Sequence, residues 1–190
     1  MHAESDTRLR VLVSAFAGDP LSQWLVPEPQ HRRPVYRQWF AAALAHADEA
    51  GEVRAGDCST QVWLPGTAAD PPRMLDEQAR ARVRQLPGLD VARFDLFGEL
   101  VGQRHPRAAH SYLALIGVEP ARQGAGIGTA VLADALRVHD EAGVPTYLEA
   151  SSARSRRLYR RLGYRDLGDP IELPGGPTLH PMWRAVGGGR

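Results

Sequence analysis

The sequence predicts an α/β or α+β fold built on a mixed β-sheet, and three features support this class. Apolar side chains recur at helical spacing through much of the first half of the chain. Residues 111–118 and 146–150 are short apolar runs typical of buried strands. Between them, a glycine-rich segment leads into another helical pattern. A chain of 190 residues can form one domain with a substantial core, so we expect a single domain over 1–190.

Two helices are expected near the N-terminus. The first has a candidate cap at Asp6 or Thr7 and ends before Pro20. Residues 21–33 are rich in proline and predict a loop. Pro34 suits the first turn of the second helix, because proline needs no hydrogen-bond partner there. The second helix carries an apolar stripe made of Val35, Trp39, Phe40, Ala43, Leu44 and Ala47.

The middle of the chain alternates between short strands and short helices. Residues 52–64 predict two strands with a turn near Gly56. Residues 73–101 predict two helices, broken at Pro87-Gly88, and residues 103–107 form a polar connection.

The pattern is clearest from residue 110 onward, where strands and helices alternate. The expected elements are a strand at 111–118, a helix at 128–142, a strand at 146–150, a short helix at 155–162, and candidate strands at 164–173 and 178–185. This order is what places the second half of the chain in a mixed sheet.

Composition excludes several functional classes. The net charge of +1 gives no general attraction to nucleic acid or membranes. The chain contains no Lys, which rules out the nucleotide-binding P-loop. Its one cysteine, Cys58, cannot form an internal disulfide, and its seven His residues show no metal-ligand spacing. Because we find neither a signal peptide nor a bilayer-spanning apolar run, we expect a cytoplasmic protein that uses no metal.

The glycine-rich segment RQGAGIGTA, residues 122–130, is the strongest chemical signal. It joins a strand to a helix, and a helix N-terminus offers unpaired main-chain N–H groups that suit a phosphate or diphosphate. Thr129 adds a hydroxyl group and Arg122 adds a positive charge. A purely structural turn is the alternative. The dinucleotide fingerprint G-x-G-x-x-G fails, because Thr129 or Val131 stands where its third glycine belongs.

A different motif fits the segment and its surroundings. Residues 123–128 match the acyl-CoA signature Q/R-x-x-G-x-G/A, between the strands YLALIGV and TYLEA. The later run RRLYRRLGY, residues 156–164, matches the ending N-x-x-x-Y-x-x-x-G-F/Y of the same family. Over residues 110–166 the chain therefore resembles the GNAT superfamily of N-acyltransferases. Short outer segments (SAFAGDP, QVWLPG and LPGGPTLHPMWR) are similar in layout to the puromycin N-acetyltransferases and their actinobacterial relatives.

The resemblance implies a largely antiparallel central sheet flanked by helices, in which the strands 111–118 and 146–150 splay apart around acetyl-CoA. It implies an acceptor side at 1–109, an acyl-CoA core at 110–166, and C-terminal strands with a loose tail at 167–190. The residues it assigns to acetyl-CoA, the co-substrate, are Leu115, Ile116, Gly117, Val118, Arg122, Gln123, Gly124, Ala125, Gly126, Ile127, Gly128, Thr129, Ser151, Arg154 and Ser155. The N–H groups near Gly117 and Val118 would polarise the thioester carbonyl.

Three side chains are candidates for the proton transfers. Tyr159 occupies the family's general-acid position, and simple packing is the alternative. Glu149 is a candidate general base, and an ion pair with an Arg is the alternative. His110 is a second candidate base, since its ordinary pKa suits the task, and a surface histidine is the alternative. Ser155 departs from the family, which usually has Asn there.

The acceptor is expected to be the primary amine of a small molecule, such as an antibiotic or a polyamine-like metabolite. A peptide or protein N-terminus and a non-catalytic acyl-CoA-binding regulator are the alternatives. The expected acceptor site lies between the first two helices and residues 73–108, with candidate contacts at Trp24, Trp39, Phe94, Phe97, Asp95 and Glu99. The family's first strand is missing or very short here, which leaves a sheet edge and makes a homodimer a modest expectation. No nucleic acid or membrane partner is expected.

Overall fold

The structure of the chain is a computed structural model that describes residues 2–188. Its helices are α1 (His2–Phe16), α2 (Pro20–Leu25), α3 (Pro29–Ala50), α4 (Glu77–Val83), α5 (Val91–Arg104), α6 (Ile127–Glu141) and α7 (Ala153–Arg161). Its strands are β1 (Glu52–Gly56), β2 (Ser59–Gly66), β3 (His110–Val118), β4 (Thr146–Ala150), β5 (Arg165–Asp166), β6 (Ile171–Glu172) and β7 (Thr178–Arg184). The helix–strand alternation expected after residue 110 is confirmed, as are the two strands and two helices of the middle segment.

The strands form a mixed sheet in the order β1-β2-β3-β4-β7-β5, with β6 paired to β7. The pairs are antiparallel except for β3 and β4, which run parallel. The expectation of a mixed, largely antiparallel sheet flanked by helices is therefore confirmed.

The parallel pair at the centre of the sheet is joined only at its beginning. Ser111 pairs with Thr146 and Tyr112 with Tyr147, and the two strands then separate. Beyond this point β3 pairs only with β2, and β4 only with β7. Ala114 is an extra residue on β3, opposite the step from Val62 to Trp63 on β2. Because a bulge bends its strand, it helps to turn β3 away from β4.

Apolar clusters cover both faces of the sheet. On one face, side chains of α1 to α5 pack against Tyr112, Leu115 and Tyr147. On the other face, α6 and α7 pack against Leu113 and Leu148. The stripe predicted on the second helix is the buried side of α3, so that prediction is confirmed.

The predicted loop at 21–33 is wrong, because α2 and the start of α3 occupy it. Asp19 caps α2 by accepting hydrogen bonds from the N–H groups of Leu21 and Ser22, and Pro20 occupies a first-turn position. Pro29 does the same at the start of α3, which leaves Pro34 inside the helix rather than in its first turn. Prolines here begin helices rather than prevent them.

Three further boundaries differ from prediction. The first helix begins at His2, so Asp6 and Thr7 lie within it. The segment 164–173 contains only the two-residue strands β5 and β6. The helix expected at 155–162 begins at Ala153, with Ser152 as its cap. No strand precedes α1 within residues 2–188, so β1 forms one edge of the sheet as described. The homodimer stays a prediction.

Candidate active site

A cleft of about 830 Å³ opens where β3 and β4 separate. The glycine-rich segment and the start of α7 line one end of it, and aromatic side chains of α1, α3 and α5 line the other. The cleft therefore joins a polar main-chain surface to an apolar chamber.

The N-terminus of α6 faces this cleft with main-chain donors exposed. Its cap is Gly126, and the first turn has neither a side-chain cap nor an acidic residue. The first N–H groups of the helix therefore remain available to an anion. Gly124 and Gly126 have φ values of 85° and 80°, which only glycine adopts without strain.

Gly128 needs a different explanation from the glycines before it. It has ordinary helical φ, and a Cβ there would meet only Val118 Cγ2, at 3.6 Å. Neither the backbone nor the packing of this chain requires glycine at that position. The open space beside the first turn of α6 is therefore room for a ligand to approach the backbone.

The remaining residues of the glycine-rich segment differ in whether they line the cleft. Gln123 folds back, and its Nε2 donates to the carbonyl oxygen of Val118 at 3.0 Å, which closes the turn after β3. Arg122, Ile127 and Thr129 line the cleft. Ala125 is not among the cleft-lining residues.

The open edge of β3 supplies a second main-chain surface. Leu115, Ile116, Gly117 and Val118 all line the cleft, and on their other side they pair with β2. In an antiparallel pair, alternate residues direct N–H and C=O away from the partner strand. These groups point toward the gap left by β4 and can bind an extended, amide-containing chain.

Serines at the start of α7 line the cleft next to β4. Ser152 and Ser155 form a reciprocal cap, in which the hydroxyl oxygen of each accepts from the main-chain N–H of the other, at 3.1 and 3.2 Å. The Ser155 hydroxyl also donates to the Ser152 carbonyl oxygen at 2.9 Å. Ser155 is thus committed to the local turn. Ser151 donates to Asp19 Oδ2 at 3.1 Å, which links the end of β4 to the cap of α2.

Several arginines surround this end of the cleft. Arg154, predicted from sequence, lines it, and so do Arg157 and Arg161, which the sequence analysis did not single out. Arg156 and Arg160 instead form ion pairs with Asp166.

Glu149 is a buried carboxyl group in the middle of the cleft, where its side chain is 8% exposed. Its Oε2 accepts a hydrogen bond of 2.8 Å from the Tyr112 hydroxyl, and its Oε1 has no hydrogen-bond partner. Burial raises the pKa of Glu149 to about 7, and the hydroxyl groups of Tyr112 and Tyr147 oppose this only in part. No Arg pairs with it in the described part of the chain. A carboxyl with this pKa can exchange protons near neutral pH.

Tyr159 lies on the cleft-facing side of α7 and packs against Tyr164. Burial, and to a smaller extent the nearby Asp19, raises the pKa of Tyr159 well above its ordinary value. The phenol therefore stays protonated at neutral pH and can donate a proton.

His110 does not line the cleft, so the structure does not bring it to the place predicted for a base. It is buried rather than on the surface, and its Nε2 is 3.0 Å from Nε2 of His105. His105, whose side chain is 7% exposed, is the residue between His110 and Glu149. The sequence analysis treated His105 as part of a polar connection.

The part of the cleft predicted to receive the acceptor is aromatic and apolar. Trp39 and Phe97 line it as predicted, with the additional side chains of Phe16, Tyr36, Phe40 and Met74. Trp24 and Phe94 are instead core residues outside the cleft. Asp95 pairs with Arg80 and Arg84, and Glu99 accepts from Gln103, so neither faces the cleft.

Sequence reasoning missed three residues that shape the site: Asp19, Tyr112 and His105. Asp19 looked like part of a helix stop, Tyr112 like a strand residue, and His105 like a loop residue. Helix capping by Asp before Pro is the one signal that was available, and it concerns structure rather than chemistry.

Two absences concern the described residues only. Within residues 2–188, no group of three His, Cys, Asp or Glu side chains is arranged to hold a metal ion. None of the described helices is both long enough and apolar enough to cross a membrane.

Comparison with known proteins finds a family match for the segment that builds this cleft. Residues 90–166 match the family described as acetyltransferase (GNAT) domain. This segment is similar to a GNAT acetyltransferase domain. The matched segment contains β3, the glycine-rich loop, α6, β4 and α7, which are the elements that build the cleft.

Similar proteins extend the likeness beyond the GNAT core. An uncharacterised N-acetyltransferase of Schizosaccharomyces pombe is 27% identical, across 80% of this chain and 67% of its own length. A mycothiol acetyltransferase of Clavibacter sepedonicus is 28% identical, across 85% of this chain but only 45% of its own length. A crystal structure described as histone acetyltransferase HPA2 and related acetyltransferase, from Corynebacterium glutamicum, has a TM-score of 0.70 and 26% identity, covering 98% and 93% of the two chains.

Proposed function

We propose that this chain transfers an acetyl group from acetyl-CoA directly to the primary amine of a small molecule. The observation that carries the proposal is the buried carboxyl of Glu149, with a pKa of about 7, in a cleft that also contains Tyr159 and the open N-terminus of α6. This combination supplies an anion site, a base and an acid in one connected space.

The described residues fit acetyl-CoA in three respects. The first turn of α6 offers N–H groups to a diphosphate, and the space beside Gly128 lets that group approach. The unpaired edge of β3 suits the amides of the pantetheine arm. Arg154, Arg157 and Arg161 add positive charge near the same end of the cleft. When bound, acetyl-CoA supplies an activated acyl group as a thioester.

The chain itself supplies the proton transfers. Glu149 removes a proton from the attacking ammonium or amine, since its pKa keeps it partly ionised at neutral pH. Tyr159 would donate the proton that the departing sulfur takes up, because its raised pKa keeps the phenol protonated until negative charge develops on that sulfur. Main-chain N–H groups near Gly117 and Val118 stabilise negative charge on the acyl oxygen. A covalent enzyme intermediate is not required.

The lining of the acceptor half favours an amine with an apolar body. Among the described residues that line the cleft, the carboxylates are Asp19 and Glu149, and Asp19 already accepts hydrogen bonds from Leu21, Ser22 and Ser151. A polyamine would leave its further ammonium groups against aromatic rings without a carboxylate partner. A small monoamine places one amine at Glu149 and its apolar part against Trp39 and Phe97.

The test is release of free thiol from acetyl-CoA, measured across aromatic monoamines, puromycin-like nucleosides, aminoglycosides, polyamines and short peptides. We expect the highest kcat/KM for a monoamine with an apolar body. Preferred turnover of peptides would favour the N-terminal acetyltransferase alternative. If no amine yields product while acetyl-CoA still raises the melting temperature, the chain is a non-catalytic acyl-CoA-binding protein and the proposal is wrong.

A further inference from the structure

Two histidines with buried side chains lie next to Glu149 and do not line the cleft. His105 follows the last residue of α5, and His110 is the first residue of β3. Their Nε2 atoms are 3.0 Å apart, and Nδ1 of His110 is 2.7 Å from the carbonyl oxygen of Ala108. Nδ1 of His105 is 3.9 Å from Oε1 of Glu149. Glu149, His105, His110 and the Ala108 carbonyl are therefore successive neighbours, from the candidate base to the main chain.

The Ala108 carbonyl fixes the tautomers of both rings. A carbonyl oxygen only accepts, so Nδ1 of His110 carries a hydrogen and, in the neutral ring, its Nε2 is bare. The hydrogen between the two rings must therefore belong to Nε2 of His105. In the neutral ring this leaves Nδ1 of His105 bare and directed toward Glu149.

Both rings are held in the neutral state. Burial, together with the neighbouring His110, lowers the pKa of His105 to about 4, and burial also lowers the pKa of His110. The rings of Tyr112 and Tyr147 pack edge-on against His105, and their centroids lie 4.9 and 4.7 Å from the centroid of its ring. The pKa values of both phenols are raised by burial, so they add no charge. Glu149 supplies the carboxyl group that faces the pair.

When Glu149 is ionised, no hydrogen lies between its Oε1 atom and the Nδ1 atom of His105 that faces it. Oε1 of Glu149 is buried and has no hydrogen-bond partner, and the bare Nδ1 of His105 that it faces is also an acceptor. The Tyr147 hydroxyl, which interacts with the same carboxyl group, is a buried donor that also lacks a partner. Two unsatisfied acceptors facing each other in a buried place are unfavourable. A hydrogen on Oε1 would satisfy both groups once the side chains close the 3.9 Å separation to hydrogen-bonding distance.

We propose that His105 is a positioning residue that acts through Glu149, by accepting the O–H of the carboxyl group once Glu149 has taken the proton of the amine. This inference rests on the proposed function. The N–H bond of the amine breaks and an O–H bond forms on Glu149. Rotation about the last torsion of the side chain, which is broad for Glu, turns that O–H toward Nδ1 of His105. The proton returns to solvent after the product leaves, so no other reactant is needed.

The first test replaces the acceptor that faces Glu149 by a donor. In His105→Asn the amide N–H₂ occupies the position of Nδ1 and stabilises the ionised carboxyl group instead of the protonated one. We expect the acidic limb of the kcat/KM profile to move to lower pH by about one unit, because one charge-assisted hydrogen bond changes a pKa by that order. His139→Asn is the matched control. His139 is a buried histidine whose ring nitrogens contact Ala135 O and Ser111 Oγ, away from Glu149.

A merely structural role for His105 predicts a different result. Loss of packing would lower activity or stability in both variants and leave the position of the acidic limb unchanged. An unmoved limb in an active His105→Asn variant would therefore overturn the proposal.

The second test needs neither a variant nor turnover. Nitrogen-15 NMR of histidine-labelled protein without ligand distinguishes protonated from bare ring nitrogens. At pH 7 we expect His105 with hydrogen on Nε2 and His110 with hydrogen on Nδ1. Hydrogen on Nδ1 of His105 would contradict the proposal even if His105→Asn fails to fold. If the wild type transfers no acetyl group, the proposed function fails, but the NMR spectrum still decides the tautomers.

Discussion

At the scale of single residues, the burial of Glu149 has an effect on stability as well as on catalysis. An ordinary Glu ionises near 4.3 in the unfolded chain, whereas the pKa of Glu149 in the fold is about 7. Between these values the unfolded chain has lost a proton that the folded chain keeps. The free energy of unfolding therefore falls as pH rises from about 4.3 to about 7, and this contribution is constant above that range.

We predict that Glu149→Gln removes this pH dependence. Because Gln does not ionise, the variant should gain stability relative to wild type at pH 8, by on the order of 3 kcal/mol, and show little difference near pH 4. Urea unfolding at the two pH values measures this. The same variant should transfer acetyl groups far more slowly, since no base remains. Equal wild-type and variant stabilities at pH 8 would show that the carboxyl is not buried as described.

For Tyr159→Phe we predict a kcat lower by about 100-fold, with acetyl-CoA affinity within two-fold of wild type. The reason is that the phenol acts on the departing sulfur and not on the bound ground state. An acetyl donor whose thiol is more acidic should recover much of the loss.

The matched control for Tyr159 is Tyr164→Phe. Tyr164 is also buried, and its hydroxyl accepts from Thr146, outside the cleft. Its kcat should remain near the wild-type value. If both variants lose activity equally, the loss at Tyr159 reflects packing rather than proton transfer.

The sequence analysis predicted those site residues that belong to a local motif. The positions of Tyr159 and Gly124 follow from spacing within the chain, and Glu149 follows from its place in a strand. The link between His105 and Glu149 could not be predicted, because β3, α6 and the start of β4 separate the two residues in sequence. Only the parallel start of β3 and β4 brings them together.

At the scale of elements, the start of α6 holds the diphosphate in our account through its backbone conformation. Gly124 lies in the loop with a φ of 85°, and Gly143, after α6, has a φ of 69°. Neither would meet another atom within 4 Å if it carried a Cβ. The two glycines therefore have the same conformational reason to be glycine, but only Gly124 lines the cleft.

We predict that Gly124→Ala and Gly143→Ala each lower the free energy of unfolding by about 1 kcal/mol, the cost of alanine at positive φ. Only Gly124→Ala should weaken acetyl-CoA binding, by several-fold, because its loop must shift its main-chain donors to relieve the strain. Isothermal titration with acetyl-CoA compares the two. Equal affinities would mean that the loop does not contact the ligand.

The sequence predicted elements well where hydrophobic spacing was regular and poorly where proline was dense. The strand at β3 and the helix at α6 have uninterrupted patterns, and both were predicted. The segment with α2 has three prolines within five residues of Trp24, at positions 20, 27 and 29, and these suggested a loop. Tertiary contacts decided otherwise, because Trp24, Leu25 and Val26 are all buried in the core.

At the scale of the whole molecule, a buried ion pair ties the end of the chain to the centre of the domain. Both guanidinium nitrogens of Arg184 donate to Asp140 at 2.7 Å, and its Nε donates to the carbonyl oxygen of Leu162. Asp140 also accepts from the N–H of Gly187. One pair therefore joins α6, the end of α7 and β7.

We predict that Asp140→Ala lowers the free energy of unfolding by about 3 kcal/mol, because it leaves the buried charge of Arg184 without its carboxylate. Chemical denaturation measures this directly. The control is Glu141→Ala, which removes an exposed ion pair with Arg137 and should cost little. A small effect of Asp140→Ala would show that water replaces the carboxylate.

β3 and β4 pair at two residues and then separate. In our account, acetyl-CoA binds between the separated strands. A crystal structure of this chain with acetyl-CoA tests it most directly. We predict the diphosphate on the N–H groups of the first turn of α6, the pantetheine arm along residues 115–118, and the sulfur within hydrogen-bonding distance of the Tyr159 hydroxyl. A cofactor bound elsewhere, or a glycine-rich loop that leaves those N–H groups turned away from it, would contradict the account.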